Sequence, residues 1–358
     1  MSLSLNDVRR LLVIKPSSLG DIVHALPAVA ALRCWSPTAT ITWLVKPEWR
    51  EILEGNPDID EVITLPASRW SWLQTVRLLR SKRFDLVVDL QGLFRSGLIA
   101  WLTGAPLRVG FAAAREGSTL FYTHRVPLPV AQAPWRLLDM HAVDRNLMVA
   151  AHLGADIRHV RFHLPSLASD EKEIEAWLQE AGVQQSDRLI AIAPVDRLGI
   201  RSWPLDRFVS VAATLSQLPN VRIVLIGAPT ERWAVEKFWQ PVGNKLLDLV
   251  GKTRIRQLGV LLRRMRLLIV NDSAPMHIAA AVGTPVLGLF GPSSPSHHGP
   301  LGDGHVVLRT DIPCSPCGRS ICINPNHLEC LTSITVEDVV KKANEMLGGS
   351  KATTLISR

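Results

Sequence analysis

Two stretches constrain the fold of this chain more than any others: Lys15-Pro-Ser-Ser-Leu-Gly-Asp-Ile-Val-His24 and Asn271-Asp-Ser-Ala-Pro-Met-His277. Each follows an apolar run that reads as a buried strand, and each opens what reads as a helix. In a strand–turn–helix of this kind the first-turn N–H groups lack intrahelical partners and point outward, which makes a ready anion site. Two such turns, one in each half of the chain, point to two nucleotide-binding-like domains facing one cleft. That is the layout of an enzyme handling two polar substrates rather than of a one-pocket binding module.

The alternation between and around these turns supports a parallel sheet in each half. Strands are predicted at Leu11–Ile14, Ile41–Val45, Glu61–Leu65, Asp85–Asp89 and Arg108–Gly110, with helices at Asp21–Cys34, Pro47–Gly55, Ser71–Ser81 and Ser96–Thr103. Strands alternating with helices at this spacing argue right-handed crossovers. Pro27 is placed in the first turns of its helix, where proline is tolerated. A Pro-rich, less regular stretch, Phe111–Trp135, precedes a helix at Met140–Leu153. The second alternation runs helix Asp170–Ala181, strand Leu189–Ala193, helix Pro204–Leu218, strand Val221–Ile226, helix Thr230–Phe238 and strand Leu246–Leu249. It continues with helix Ile255–Arg264, strand Leu267–Val270, helix Pro275–Val282, strand Val286–Phe290 and a last helix at Val336–Leu347. The expected class is α/β, with doubly wound Rossmann-like domains at 1–165 and 166–335, then a C-terminal helix and polar tail at 336–358.

At 358 residues the chain has room for two domains of roughly 100–200 residues each. With 47% hydrophobic and 20% charged residues, wholesale disorder is excluded. No apolar run approaches the ~18–20 residues of a membrane-spanning helix. Leu11–Ile14 is too short for a signal-peptide core and follows Asp7, so a cytosolic protein is expected. The net charge of +8, from 40 basic and 32 acidic residues, favours an anionic partner. No zinc-finger, RNA-recognition or helix-turn-helix signature is present, so nucleic acid is not the expected partner; an anionic membrane face or a phosphorylated glycolipid fits the charge. Eleven Trp stand against one Tyr, and Arg69-Trp-Ser-Trp72 with Arg77, Arg80, Lys82 and Arg83 forms a basic, Trp-bearing stretch. Such a stretch suits a membrane interface; it suits equally an ordinary surface helix with its Trp face in the core.

The individual side chains carry specific possibilities. Ser17, Ser18 and Gly20 let a ligand approach backbone N–H groups, and Asp21 opens the helix, either as a cap or as a carboxylate that takes a proton from an acceptor hydroxyl. His24, one turn on, orients Asp21 or packs. Asp272 and Ser273 sit where a helix N-cap belongs, Pro275 fits an early helical position, and His277 falls within reach of a phosphate held there. The Asn271–His277 turn is neither a P-loop nor a G-x-G-x-x-G turn. Gly291-Pro-Ser-Ser-Pro295 supplies another turn at the same sheet edge, where open parallel sheets bind ligands. Arg201, in Arg201-Ser-Trp-Pro204, is a cation suited to a departing diphosphate. Glu231 is placed to bind ribose hydroxyls or to complement a helix dipole. Asp58-Ile-Asp60 resembles a metal motif but follows Asn56-Pro57 and reads as a loop. Cys314, Cys317, Cys322 and Cys330 fall in a C-x2-C-x4-C-x7-C run that admits a structural zinc, redox-sensitive pairing or free thiols in a local loop. Cys34 reads as a small buried residue.

At these residues the chain resembles the ADP-heptose:lipopolysaccharide heptosyltransferases, glycosyltransferase family 9, over nearly its whole length. The markers are Lys15–Asp21 with His24-Ala-Leu-Pro27, Asp89-Leu-Gln-Gly92, His141-Ala-Val-Asp-Arg145, Gly227-Ala-Pro229, Gly251-Lys-Thr253, Asn271–His277 and Leu289-Phe-Gly-Pro292. The resemblance implies a GT-B enzyme with the acceptor on the N-terminal domain and the nucleotide sugar on the C-terminal one. It implies an inverting transfer of heptose from ADP-heptose to the lipid A–core glycolipid, with no cofactor and no metal, by a protein peripheral on the cytosolic face of an inner membrane. It further implies that Asp21 is the base, and that Lys15, Ser17, Ser18 and Gly20 lie near sugar and phosphates. By the same resemblance Asp272, Ser273 and His277 contact the donor, Glu231 contacts the ribose, and Arg201 stands where the family usually has Lys. Two departures from the family pattern are Ala274, commonly Gly, and the segment Pro194–Ile200. They leave two alternatives: a family 9 transferase with another nucleotide sugar or acceptor, and a catalytically silent nucleotide-sugar-binding protein.

Overall fold

The computed structural model describes residues 8–66, 69–129, 140–196 and 199–348. The polar tail after Gly348, part of the Pro-rich stretch, two positions of Pro194–Ile200 and the side chains of Arg69, Trp70 and Ser71 lie outside the described residues. The chain divides into two compact units, Met1–Pro165 and Ser166–Arg358.

In the first unit the elements are β1 (Arg10–Ile14), α1 (Leu19–Trp35), β2 (Thr40–Val45), β3 (Glu61–Thr64), α2 (Arg69–Ser81), β4 (Leu86–Asp89) and α3 (Phe94–Leu102), followed by β5 (Leu107–Phe111), β6 (His124–Val126) and α4 (Ala142–His152). The six strands pair in parallel in the order β3-β2-β1-β4-β5-β6. Leu11–Ile14 and Leu86–Asp89 are buried at every position. Helices cover both sheet faces, so the central strands are continuous apolar runs instead of alternating ones. One face packs Leu12, Ile14, Leu44 and Val87 against Leu79 of α2 and Ile99 and Ala100 of α3. Helix α1 is buried almost all round, from Ile22 through Leu32, as a helix held between a sheet and another helix must be. Pro27 stands at the middle of α1 rather than in its first turns. The missing N–H removes one ladder bond, and the burial of the surrounding apolar residues carries the helix past it.

Elements of the second unit are α5 (Ala168–Glu180), β7 (Arg188–Ala193), α6 (Leu205–Ser216), β8 (Val221–Leu225), α7 (Glu236–Val242), β9 (Leu246–Asp248) and α8 (Ile255–Arg263). They continue with β10 (Leu267–Asn271), α9 (Ala274–Ala281), β11 (Val286–Leu289), α10 (Pro295–His298), β12 (Val306–Leu308), α11 (Glu329–Thr332) and α12 (Val336–Gly348). The parallel order is β12-β11-β10-β7-β8-β9. Counted from its own first strand, this sheet has the same doubly wound order as the first. Trp203, Phe208 and Phe238 are fully buried in its core, each worth roughly 1.5–3 kcal/mol of burial. Val339, Ala343 and Leu347 of α12 enter the same core, so the last helix belongs to this unit.

Three local expectations are corrected. Pro47–Gly55 forms only a 3-10 helix, Pro47–Ile52, and closes in a turn where Gly55 has φ +86°. The helix expected at Thr230–Phe238 is a 3-10 helix, Pro229–Ala234, followed by α7; the Glu231 carboxylate folds back to accept the Ala228 N–H at 2.9 Å and tightens the first turn. Strands β6 and β12 lie where no strand was expected, because three residues are too few to carry a period. Both fold classes of evidence, parallel order and doubly wound connection, give two Rossmann-like units of the GT-B type.

Candidate active site

In a doubly wound sheet the connections leave opposite faces at one point, and the loops there part to leave room for a ligand. That point lies between β1 and β4 in the first unit, and between β7 and β10 in the second. Both marked turns of the sequence emerge at these two places.

In the first unit β1 runs directly into Lys15, whose side chain is buried and donates from Nζ to the Leu90 carbonyl just past β4 at 2.9 Å. Ser18 is the N-cap of α1 and Asp21 its third residue. One carboxylate oxygen, Oδ2 of Asp21, accepts the Ser18 backbone N–H at 3.0 Å and the Ser18 hydroxyl at 2.8 Å. This reciprocal cap fixes the rotamer of a half-buried carboxylate at the sheet edge. Ser17 and Gly20 flank it, half-buried. His24 is buried, its carbonyl accepts the Asn146 amide at 3.1 Å, and its ring meets that of His141 edge-on at 5.3 Å. It therefore sits in the seam between α1 and α4.

Asp21 acts on two cations, Lys15 and Arg145, and a third, Arg115, acts on the same two. Burial pulls the Lys15 ammonium below its ordinary value; Asp21 opposes that fall, and Arg145, Asp89 and Arg115 also act on it. Burial likewise lowers Arg145, against the attraction of Asp21 and with the repulsion of Arg115. The Arg145 guanidinium lies over the Phe111 ring at 5.7 Å, and its buried Nε meets no hydrogen-bond acceptor among the described residues. Sequence reasoning quoted Arg145 only as part of a marker and passed over Arg115. The available signal was an arginine on a helix whose neighbours Val143, Asn146 and Leu147 are core positions.

Asp89 closes the turn after β4. Its Oδ1 accepts the N–H groups of Gln91 (2.9 Å) and Gly92 (3.2 Å), and its Oδ2 accepts the Tyr122 hydroxyl at 2.6 Å. Burial raises the Asp89 carboxyl, and these donors work the other way; burial also raises the Tyr122 phenol, aided by the Asp89 charge. Gly110 is required here, since a Cβ would lie 2.4 Å from the Tyr122 ring.

In the second unit Asn271, the last residue of β10, is fully buried and ties two loops together. Its Oδ1 accepts the Trp203 N–H and its Nδ2 donates to the Pro194 carbonyl, both at 2.9 Å. That clamp brings the loop after β7 beside the start of α9. Arg201 then donates to Oδ2 of the buried Asp272 at 3.0 Å, joining two residues singled out separately in the sequence. Ser273 is the N-cap of α9, and its buried hydroxyl has no hydrogen-bond partner among the described residues. Ala274 and Pro275 take the first two helical positions, and His277 is buried in the first turn. Glu231 lines a crevice with Pro194, Val195, Ile226 and Val250, where β7, β8 and β9 end. Two family markers meet beside it: Gly251 donates to the Gly227 carbonyl at 2.9 Å, and at φ +73° it has no room for a Cβ, which would lie 2.9 Å from Pro229 Cα.

Residues outside these clusters have structural partners. Asp58 pairs with His163 at 2.5 Å, and Asp60 with Arg33 at 2.5 Å and the Ile41 N–H at 2.6 Å. Cys314, Cys317, Cys322 and Cys330 all line one cavity of ≈ 210 Å³ that also touches Ile200 and Pro292. All are free thiols, and burial followed by the neighbouring sulfurs pushes Cys330 up. Cys34 is exposed, not buried as expected, because it falls in the last turn of α1 where the helix leaves the core. Among the described residues no three His, Cys, Asp or Glu side chains are arranged to hold a metal ion.

The profile of glycosyltransferase family 9 (heptosyltransferase) matches residues 72–328. The chain belongs to glycosyltransferase family 9. It is 25% identical to the lipopolysaccharide core heptosyltransferase OpsX of Haemophilus influenzae, over 82% of this chain and 80% of that one. It is 27% identical to lipopolysaccharide heptosyltransferase 1 of Pseudomonas aeruginosa, over 87% of each. A family 9 glycosyltransferase from Veillonella parvula superposes with a TM-score of 0.82 at 26% identity, covering 97% of this chain and 99% of that one. The ADP-heptose lipopolysaccharide heptosyltransferase II of Escherichia coli superposes with a TM-score of 0.75 at 22% identity, over 94% and 98%. The family 9 match takes in Asp89, Arg115, Arg145, Arg201, Glu231, Asp272, Ser273 and His277.

Proposed function

We propose that this family 9 enzyme transfers a heptose from ADP-heptose to the lipid A–core glycolipid of lipopolysaccharide, with inversion at the anomeric carbon. The observation that carries the reading is the shared placement of charge. Each unit carries charged side chains at its own switch point, a carboxylate with nearby cations in the first and an arginine beside a helix N-terminus in the second. The heptosyltransferases named above resemble the chain in sequence and fold.

In this reading the first unit holds the acceptor. Asp21, its rotamer fixed by Ser18, takes the proton of the acceptor hydroxyl. The acceptor oxygen bonds to the anomeric carbon while the bond from that carbon to the diphosphate oxygen breaks. Lys15, Arg115 and Arg145 supply the positive field that an acidic, phosphorylated glycolipid requires, and Ser17 and Gly20 leave backbone open beside it. The second unit holds the nucleotide sugar. The N–H groups at the start of α9, with Ser273, His277 and Arg201, stabilise the charge that grows on the departing diphosphate. Asp272 holds the Arg201 guanidinium in place, and Glu231 meets the ribose. Ala274, at the first helical position, brings a methyl group beside the phosphates. The enzyme works on the cytosolic face of the inner membrane; among the described residues no helix is long and apolar enough to span a bilayer.

The test is ADP release from ADP-heptose, with and without a heptose-deficient lipopolysaccharide acceptor. Acceptor-dependent release is expected. Donor binding without release would favour another acceptor or a silent site, and no donor binding would mean that the nucleotide sugar is wrong.

A further inference from the structure

The layer formed by α2, α3 and the 3-10 helix Ser118–Phe121 has two sides. Its inner side packs on the sheet through Leu79, Ile99, Ala100 and the half-buried Trp72. Its outer side is apolar to a degree that packing does not explain. Leu73 and Leu78 of α2 are 48% and 46% exposed, Phe94 and Trp101 of α3 are 47% and 53% exposed, and Leu120 is 79% exposed. These positions form neighbouring surface: α2 touches α3, and Phe94 and Trp101 lie 5.3 Å and 6.5 Å from the Phe121 ring, next to Leu120.

The segment that carries this layer is basic. Residues 72–126, which also include β4, β5 and β6, hold eight Lys or Arg against three Asp or Glu, and Arg77, Arg80, Lys82, Arg83 and Arg95 lie on α2, the turn after it and α3. Each acid is engaged by backbone: Asp89 by Gln91 and Gly92, Asp85 by the N–H groups of Arg9 and Arg10, and Glu116 by the N–H of Phe94. Arg77, Arg80 and Arg83 are exposed on α2 and the turn that ends it. Exposed leucines, a tryptophan and arginines on this layer, with Asp89 buried, Asp85 half-buried and Glu116 the one exposed acid of residues 72–126, match the two zones of an anionic bilayer surface.

We propose that this face docks the enzyme on an anionic phospholipid bilayer. Leu73, Leu78, Phe94, Trp101 and Leu120 enter the headgroup zone, and Arg77, Arg80 and Arg83 meet the lipid phosphates. The inference rests on the reading that the acceptor is a glycolipid, and it assigns the membrane contact to one surface of the first unit.

Flotation of the full chain with vesicles of phosphatidylethanolamine and phosphatidylglycerol, against phosphatidylcholine vesicles, tests it. The wild type is expected to float with the anionic vesicles only. Arg77→Glu with Arg80→Glu, and separately Trp101→Ser with Leu120→Ser, should each weaken partitioning about tenfold or more. Both double variants should keep wild-type turnover on a deacylated, soluble acceptor and lose it on acceptor embedded in vesicles. Equal flotation of wild type and variants would overturn the proposal, as would a wild type that ignores anionic vesicles. A dimer in sedimentation velocity that Trp101→Ser with Leu120→Ser abolishes would also overturn it, by giving the face to a second copy. A wild type that floats yet turns over no deacylated acceptor would leave the docking face standing and count against the proposed function.

Discussion

The two units share one strand order yet fill their switch points in different ways. In the first, the capped carboxylate Asp21 acts on Lys15 at the end of β1 and Arg145 of α4, and Arg115, from the loop after β5, acts on the same two cations. In the second, the cation is held by a carboxylate as Arg201–Asp272, half-exposed beside the start of α9 and the Ser273 hydroxyl. A carboxylate among cations suits proton removal from an acidic acceptor; a helix start beside a held arginine suits a diphosphate. In the proposed function one frame serves two jobs because the charge at the strand ends differs, while the strand order of the sheet does not.

The sharpest way to break this comparison is to neutralise the capped carboxylate of Asp21. Asp21→Asn keeps both hydrogen bonds from Ser18 within reach and removes the proposed base, so acceptor-dependent ADP release should fall about 10²–10⁴-fold in kcat. Retained turnover would give the proton to another group.

A second contrast lies within the second unit, between the arginine pair at the switch point and another far from it. Asp170 of α5 is buried and bridges Arg254 and Arg256 at the start of α8, with Arg254 at 3.1 Å. Asp170→Asn should cost about 3–5 kcal/mol of stability in denaturant unfolding, because two arginines lose their buried partner, and leave turnover of the folded fraction unchanged. Burial works to raise the Asp170 carboxyl, but the hydrogen bonds and charge of Arg256 and then Arg254 hold it below the usual range. Its folded value therefore lies below its unfolded one. The stabilisation is complete above roughly pH 4 and is lost as pH falls through the lower folded value. Unfolding midpoints measured from pH 6 downward should show this acid-side loss in the wild type and a flatter course in Asp170→Asn.

A smaller effect sharpens the account of the first unit. Arg145→Ala should raise the acceptor KM about tenfold, about 1.4 kcal/mol, with the ADP dissociation constant unchanged. An effect on ADP affinity instead would place Arg145 in donor binding.

Much of this was legible in the sequence, for identifiable reasons. Strands buried on both faces, such as Leu11–Ile14 and Leu267–Val270, are unbroken apolar runs, and the turns that follow them carry Ser, Gly and Asp at helix starts. The local turns at Asp21 and Ser273 were therefore visible. Short edge strands β6 and β12 were not, since three residues carry no period, and the Pro47 and Pro229 segments mimic helices that stop after one or two 3-10 turns. The partners of Asp21 were hidden for another reason. Lys15, Arg115 and Arg145 are adjacent only because β1, β5 and α4 meet at one sheet edge. Likewise the Arg201–Asp272 pair depends on Asn271 clamping a loop 77 residues away in sequence at Pro194.

The central claim is a division of labour, acceptor chemistry in the first unit and donor binding in the second. Calorimetric titration of ADP into the wild type, Asp21→Asn and Arg201→Ala tests it most directly. The account predicts wild-type ADP affinity in Asp21→Asn and an affinity at least about tenfold weaker in Arg201→Ala. Weakened ADP binding in Asp21→Asn, with Arg201→Ala unaffected, would contradict it.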